Sequence, residues 1–162
     1  MISNNRNDNQ VYGLFFIKLG LLLFWASWFA IAFITNTTDF LITKQIVTTS
    51  PFHSGNYNAL KSVISIYHTT DSTLYLLFLL DISAQGISSI LFFTATFCYW
   101  NKTNFWPSTN LAFGISMCLW ATFIIFEEIF IAYSYEAAHI RLFMFEIISL
   151  LALHLLPHQQ EK

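Results

Sequence analysis

The chain alternates between long apolar stretches and shorter polar segments, and four of the apolar stretches are long enough to cross a membrane. They cover approximately residues 14–34, 74–100, 111–133 and 138–156. About 20 apolar residues in a helix cross the ~30 Å hydrocarbon core of a bilayer. The pattern therefore predicts four transmembrane helices.

The polar segments between these stretches indicate how the helices are arranged. A polar tail, residues 1–10, precedes the first span, and a long extramembrane connection, residues 37–72, follows it. The other two links are short, which makes consecutive helices antiparallel neighbours. We therefore expect an all-α integral membrane protein, a four-transmembrane-helix bundle that forms one membrane domain over residues 1–162. Both termini should lie on the same side.

The long connection contains one amphipathic segment, NALKSVISIYH. Its apolar residues Leu60, Val63, Ile64 and Tyr67 recur with the i, i+3, i+4, i+7 spacing of one helix face. Such a helix can lie in the membrane interface with its apolar face toward lipid. We expect a surface amphipathic helix in this loop.

The composition agrees with a membrane protein and argues against a nucleic-acid partner. Hydrophobic residues make up 56% of the chain and charged residues only 10%, whereas soluble domains carry about 25% charged residues. The net charge of −2 provides no basic surface for nucleic acid. The expected partners are the lipid bilayer and either other membrane protein chains or further copies of this one.

The distribution of lysine and arginine predicts the orientation in the membrane. The positive-inside rule places the more basic span ends in the cytoplasm. The terminal side carries Arg6, Lys18, Lys102 and Lys162, and the opposite side carries Lys44, Lys61 and Arg141. This majority predicts cytoplasmic termini. Lys18 lies close to the start of the first span, so we expect its side chain to extend to the interface.

Ionisable side chains lie within or at the ends of all four spans. They are Lys18, Asp81, Glu127, Glu128, His139, Arg141 and Glu146. A charge near the centre of a span costs about 2.5–3.5 kcal/mol on insertion scales. These residues are therefore expected to be paired, buried against protein, or functional.

The acidic residues among them are predicted to gather in the half of the bilayer next to the long connection. Asp81 and Gln85 are one helical turn apart on the second span. Glu127 and Glu128 lie near the end of the third span, and Glu146 lies deeper in the fourth. Because intramembrane acids mark proton and cation pathways, we treat these five residues as candidates for an ion or proton pathway.

One motif suggests a metal site instead. Glu136 and His139 have the E-x-x-H spacing that places a carboxylate beside an imidazole on a helix. Di-iron bundles use two such pairs and two further glutamates, whereas this chain has one pair. Glu136, His139 and Glu146 are therefore the candidate metal ligands.

The cysteines and the deep tryptophans have simple structural interpretations. Cys98 and Cys118 lie in apolar stretches without the spacing of a metal or redox motif, and we expect both to be buried. Trp25, Trp28 and Trp120 lie deep in the spans. They either pack between helices or line a pocket for an apolar ligand.

Three functional classes remain open. The chain contains no phosphate-binding loop, dinucleotide fingerprint or nucleophile elbow, which favours a non-catalytic accessory or scaffold subunit of a larger membrane complex, without a cofactor. The intramembrane carboxylates support a proton- or ion-coupled translocation element. A metal- or redox-dependent membrane enzyme built on Glu136 and His139 is the third class.

Overall fold

A computed structural model describes the backbone of residues 3–157 and the side chains of residues 13–157. In this part of the chain every regular element is helical. The elements are α1 (Ser3–Thr43), α2 (Asn56–Ile64), a short 3-10 helix (Ser65–Tyr67), α3 (Asp71–Trp100), α4 (Phe105–Ile129) and α5 (Tyr133–Leu155). Four of the helices, α1, α3, α4 and α5, are long and apolar enough to cross a membrane. The predicted all-α fold with four spans is confirmed, and the chain is an integral, multi-pass membrane protein.

The spans pack as neighbours in chain order, α1 against α3, α3 against α4, and α4 against α5. Near the start of α1, the Lys18 ammonium contacts the carbonyl oxygens of Leu153 and Leu156 at the end of α5. The first span therefore begins, and the last span ends, at the same end of the bundle. We call it the terminal end, and the opposite end, where residues 44–70 lie, the loop end. The predicted cytoplasmic location of the termini stays a prediction, and it rests partly on Arg6 and Lys162, whose side chains lie outside the described residues.

Helix α1 extends to Thr43, well past the span end predicted at residue 34. The hydroxyls of Thr35, Thr38 and Thr43 donate to the carbonyl four residues earlier at 2.8–3.0 Å. This bond satisfies a polar side chain within its own helix. The two strongly polar residues of this stretch, Asn36 and Asp39, are buried. The polarity of the stretch therefore reflects contacts with protein rather than a loop.

The other span boundaries also differ from the predicted ones. Helix α4 begins at Phe105 rather than near residue 111, and Pro107 lies in its first turn. Proline is tolerated there because a first-turn N–H has no helical partner. Helix α5 begins at Tyr133 rather than near residue 138. Both short links are therefore tighter than the sequence suggested.

The expected surface helix is present as α2, but its apolar face contacts protein. Tyr57 and Ile64 are buried, and the Tyr57 ring meets the edge of Phe78 of α3 with 5.3 Å between ring centroids. Leu60 and Val63 pack against the same cluster. The apolar face of α2 therefore covers the loop end of α1 and α3.

Aromatic side chains fill the interior between the spans. The Phe29 ring of α1 stacks on Phe92 of α3 at 5.8 Å and on Trp120 of α4 at 5.7 Å. Trp25 is also buried here, whereas Trp28 is exposed on the outer surface. Helix packing therefore accounts for Trp25 and Trp120.

The two cysteines differ from the expectation that both are buried. Both are free thiols, but Cys98 is half-buried and Cys118 is exposed on α4. An exposed cysteine in a span faces apolar surroundings, where a small weakly polar thiol is tolerated. The expectation is therefore wrong for Cys118.

Candidate functional site

The polar side chains inside the bundle lie at three depths. Along α1, Lys18 marks the terminal end and Asn36 marks the loop end, about 27 Å apart at the rise of an α-helix. This separation is close to the ~30 Å hydrocarbon thickness of a bilayer. Between them, Trp25 of α1 bonds to Ser149 of α5, and Glu146 lies one turn further toward the loop end, roughly 15 Å from the level of Lys18. We call these depths the terminal, central and loop-end layers.

In the terminal layer, Lys18 caps the C-terminal end of α5. Its side chain is 1% exposed, and Nζ donates to Leu153 O at 2.8 Å and Leu156 O at 2.9 Å. The last carbonyls of a helix lack helical donors and carry partial negative charge. Lys18 is therefore bound to the end of α5 at the terminal end of the bundle, and the expectation that its side chain extends to the membrane interface stays a prediction.

The central layer is organised around Glu146, which is 0% exposed. Its Oε1 accepts a hydrogen bond from Trp120 Nε1 at 3.0 Å, and its Oε2 lies 2.8 Å from Ser116 Oγ. In the next turn, Trp25 Nε1 donates to Ser149 Oγ at 3.1 Å. These bonds join α5 to both α4 and α1. Among residues 13–157, no basic side chain forms an ion pair with Glu146.

The Ser116 hydroxyl gives Glu146 an arrangement that suits either protonation state. Ser116 Oγ also lies 3.0 Å from Ala112 O and 3.2 Å from Phe113 O. A serine hydroxyl has one proton and can both donate and accept. It donates to an ionised Glu146, or it donates to a backbone carbonyl and accepts from a protonated Glu146. Every group stays bonded in both arrangements.

In the loop-end layer, an amide network holds Asp81 between α1, α2 and α3. Asn36 Nδ2 donates to Gln85 Oε1 at 2.8 Å, and Gln85 Nε2 donates to Asp81 Oδ1 at 2.7 Å. Asn36 also accepts from Asn56 Nδ2 of α2 at 2.8 Å. Asp81 and Gln85 therefore lie on one helix face, as their spacing predicts, and that face points toward α1.

Asp39 fastens the beginning of α2 to α1. The residue before α2 is Gly55, with φ 76°, and it has no side chain to accept a bond from the first turn. Instead, Asp39 Oδ2 accepts from the Tyr57 backbone N–H at 2.8 Å and from Ser54 Oγ at 3.2 Å. An acceptor at this position satisfies one of the free N–H groups of a helix start.

The other half of the loop-end layer is the pair formed by Glu127 of α4 and His139 of α5. Glu127 is 6% exposed, and its Oε1 is hydrogen-bonded to His139 Nδ1. The imidazole stacks on Trp120, with 5.7 Å between ring centroids. Glu127 Oε2 is buried and has no hydrogen-bond partner among the described residues.

The turn between α4 and α5 carries further acidic residues and a strained backbone. Glu128 is exposed, and its side chain lies next to that of Glu136. Ile131, in the turn, has φ 55°. A β-branched residue in the left-handed region is an outlier that costs roughly 1–3 kcal/mol. The bond from Ala132 N to Glu127 O, at 2.8 Å, holds this turn closed.

The structure does not bring the three candidate metal ligands together. His139 pairs with Glu127 rather than Glu136, and Glu146 bonds to Ser116 and Trp120. Within residues 13–157, no group of three or more His, Cys, Asp or Glu side chains is placed to hold a metal ion. The metal site therefore stays a prediction, and the three candidate ligands do not form a common site in the described residues.

Several residues of these layers were not candidates on sequence grounds. Asn36 lies past the predicted end of the first span and Asp39 in the predicted loop, because their stretch is polar, although they are one turn apart and so share a helix face. Ser116 and Trp120 have the i, i+4 spacing that presents one face of α4. These spacings do not show which residues of other helices each face contacts.

The comparisons with known proteins add no functional information. No protein family, curated protein or solved structure matches this chain.

Proposed function

We propose that this protein is a non-catalytic scaffold that serves as an accessory subunit of a larger membrane complex. One observation supports this most directly. The buried or half-buried ionisable side chains of the spans bond to other groups of the same chain, as described above for Lys18, Asp81, Glu127, His139 and Glu146. A structural role accounts for these residues, because their networks link different helices.

Such links have a definite energetic role in a membrane. Hydrogen bonds between transmembrane helices contribute about 0.6 kcal/mol on average and up to about 1.7 kcal/mol. They also select the helix arrangement, since a shifted helix would leave a polar group without a partner in hydrocarbon. Lys18 joins α1 to α5, Glu146 joins α5 to α4, and Asn36 joins α1 to α3. The result is a bundle with a fixed outer shape.

The outer face of α5 is the surface that we assign to a partner chain. Five exposed apolar residues recur on it at spacings of three or four, which forms one continuous stripe. They are Ile140, Met144, Ile148, Leu151 and Leu155. Helix α5 also has the smallest share of its span buried inside the chain, 17% against 28–33% for the other three. A partner helix that packs on this stripe would cover the exposed apolar face of α5 along its length.

The test is whether the stripe holds companion chains. We expect Ile148→Trp to reduce the companions recovered with the tagged protein from native membranes in mild detergent. Ile87→Trp is the matched control, because Ile87 is equally exposed on α3, at 52% against 55% for Ile148. Equal recovery of companions with both variants would contradict the assignment of the stripe.

The second candidate function, a proton- or ion-coupled translocation element, is favoured by one specific observation. Glu146 is fully buried in the central layer, and its bonding to Ser116 suits both protonation states. In this case Glu146→Gln should abolish transport in proteoliposomes while the protein still assembles. Transport that survives Glu146→Gln would eliminate Glu146 as a carrier.

A further inference from the structure

We propose that α4 and α5 form a proton path from the loop end to Glu146, with the buried Glu127–His139 pair as its entry. This inference rests on the second candidate function. It adds the identity of the transferred species and the end of the bundle from which Glu146 is reached.

Glu146 has the properties required at the inner end of such a path. It lies about midway between the terminal and loop-end layers, and its two hydrogen-bond partners on α4, Ser116 and Trp120, are neutral. An acid that takes up and releases a proton must remain bonded in both states, and Ser116 permits this. Apart from Glu127 and His139, the charged side chains that face the interior are distant. Lys18 of α1 lies in the terminal layer, and Asp39 of α1 and Asp81 of α3 lie at the loop end.

The Glu127–His139 pair has the properties required at the entry. Buried carboxyl oxygens without a partner are rare in folded proteins, yet Glu127 Oε2 is one. Such an atom indicates a missing donor, and a water molecule is the donor that usually satisfies buried polar groups. Both ring nitrogens of histidine can carry a proton, so an imidazole can take up a proton at one nitrogen and release one from the other. The pair can therefore pass a proton inward from such a water molecule.

The outer end of the proposed path, at the loop end of α4 and α5, carries acidic side chains. Glu128 and Glu136 lie side by side at the loop end, and Glu136 also lies close enough to Glu127 to interact with it electrostatically. Clustered negative charge raises the local concentration of cations, including hydronium. The other charged or titratable groups at this end of α4 and α5 are Tyr133, Tyr135 and Arg141, which are exposed. Tyr67 also lies there, and its hydroxyl donates to Ile129 O at 2.7 Å.

Trp120 lies between the entry and Glu146. His139 and Glu146 are two turns apart on one face of α5, roughly 10 Å along the axis. The Trp120 ring stacks on His139, and its Nε1 donates to Glu146. An indole N–H only donates, so it cannot relay a proton. The proposed path therefore requires water to bridge this distance, and Trp120 is the side chain that separates the two groups.

The experiment measures the exchange of the Glu146 proton with solvent. The protein in lipid nanodiscs is transferred from H₂O to D₂O, and infrared difference spectra follow the C=O band of the protonated carboxyl. The band that Glu146→Gln removes is assigned to Glu146. We expect this band to shift in D₂O, and His139→Phe to slow the shift by roughly 100-fold, the lower range of what a positioned acid–base group contributes. His154→Phe is the matched control, because His154 also stacks on a tryptophan, Trp106, but at the terminal end.

Several outcomes would overturn the proposal. They are a Glu146 band that never exchanges, no protonated Glu146 band at any pH, or equal exchange rates in His139→Phe and His154→Phe. If His139→Phe does not fold, Glu127→Gln keeps the side-chain size and carries the same expectation. Transport is measured separately in proteoliposomes. If Glu146→Gln loses transport but His139→Phe exchanges the Glu146 proton at the natural rate, the Glu127–His139 entry is rejected and the translocation function is retained. If the Glu146 proton exchanges through His139 but the protein transports nothing, only the translocation function is rejected.

Discussion

Replacing Glu146 with alanine removes the carboxyl group that joins α5 to α4 at the centre of the bundle. Two hydrogen bonds are lost, one to Ser116 and one to Trp120. Interhelical bonds of this kind contribute about 0.6–1.7 kcal/mol each. Truncating a fully buried side chain of this length to alanine also leaves a cavity, and comparable apolar truncations cost about 2–5 kcal/mol. Removing a desolvated acid offsets part of the loss, so we expect Glu146→Ala to lower the free energy of unfolding by about 2–4 kcal/mol.

The assay is an equilibrium unfolding titration with sodium dodecyl sulfate in mixed micelles, followed by circular dichroism. Glu146→Gln should stay within about 1 kcal/mol of the natural protein, because its amide can accept from Trp120 and donate to Ser116. A double-mutant cycle of Glu146→Ala with Trp120→Phe isolates one bond, and its coupling energy should be about 0.5–1.7 kcal/mol.

The exposed neighbour of the Glu127–His139 pair provides the control. Glu128→Ala removes an acid of the same size from the surface, and it should change stability by less than about 0.5 kcal/mol. If Glu146→Ala is as stable as Glu128→Ala and the coupling energy is zero, Glu146 does not hold α5 to α4, and the structural account of this residue is refuted.

Three further predictions concern other parts of the bundle. Lys18→Met leaves the last carbonyls of α5 without their donor and should cost about 1–3 kcal/mol in the same titration, whereas Lys61→Met, on the exposed side of α2, should cost less than about 0.5 kcal/mol. Asp39→Ala removes the acceptor at the start of α2 and should speed hydrogen exchange of the α2 amides by about 5–30-fold, with the span amides unchanged; unchanged α2 exchange would contradict this role. Gly114→Ala, with nothing within 4 Å of the new Cβ, should stabilise α4 by up to about 1 kcal/mol. Gly86→Ala should raise the free energy of unfolding by less, because its Cβ would lie 3.0 Å from an aromatic ring of α1. An equal increase in both variants would show that the ring moves aside at no cost.

The four spans can be predicted from the sequence because the bilayer requires long apolar helices, and the short links leave few arrangements for their neighbours. The part of α1 beyond residue 34, about two and a half turns, cannot be predicted in the same way. Hydropathy marks the polar residues around Asn36 and Asp39 as a loop, and only the presence of α2 and α3 beside them makes a buried helical position favourable. For the same reason, the sequence predicts the amphipathic helix α2 but not what its apolar face contacts, since such a face is satisfied equally by lipid and by protein.

The candidate site is predictable as a set of residues but not as a set of bonds. His139 and Glu146 are seven residues apart, a spacing that places them on one helix face, and in the structure both contact Trp120. The sequence cannot choose between Glu127 and Glu128, because adjacent residues on a helix point about 100° apart and only one can face the interior. The orientation of α4 about its own axis decides which of the two glutamates faces the interior, and Glu127 is the buried one. This orientation also pairs His139 with Glu127 rather than with the E-x-x-H partner Glu136.

The composition of the assembly in native membranes tests the proposed function most directly. Native mass spectrometry of the gently extracted protein, with metal analysis of the same sample, gives the chains present and their ratio. We predict this chain together with different companion chains in a fixed ratio, and no metal bound to it in stoichiometric amount. The chain alone, or copies of itself that carry stoichiometric metal, would contradict the assignment as an accessory scaffold.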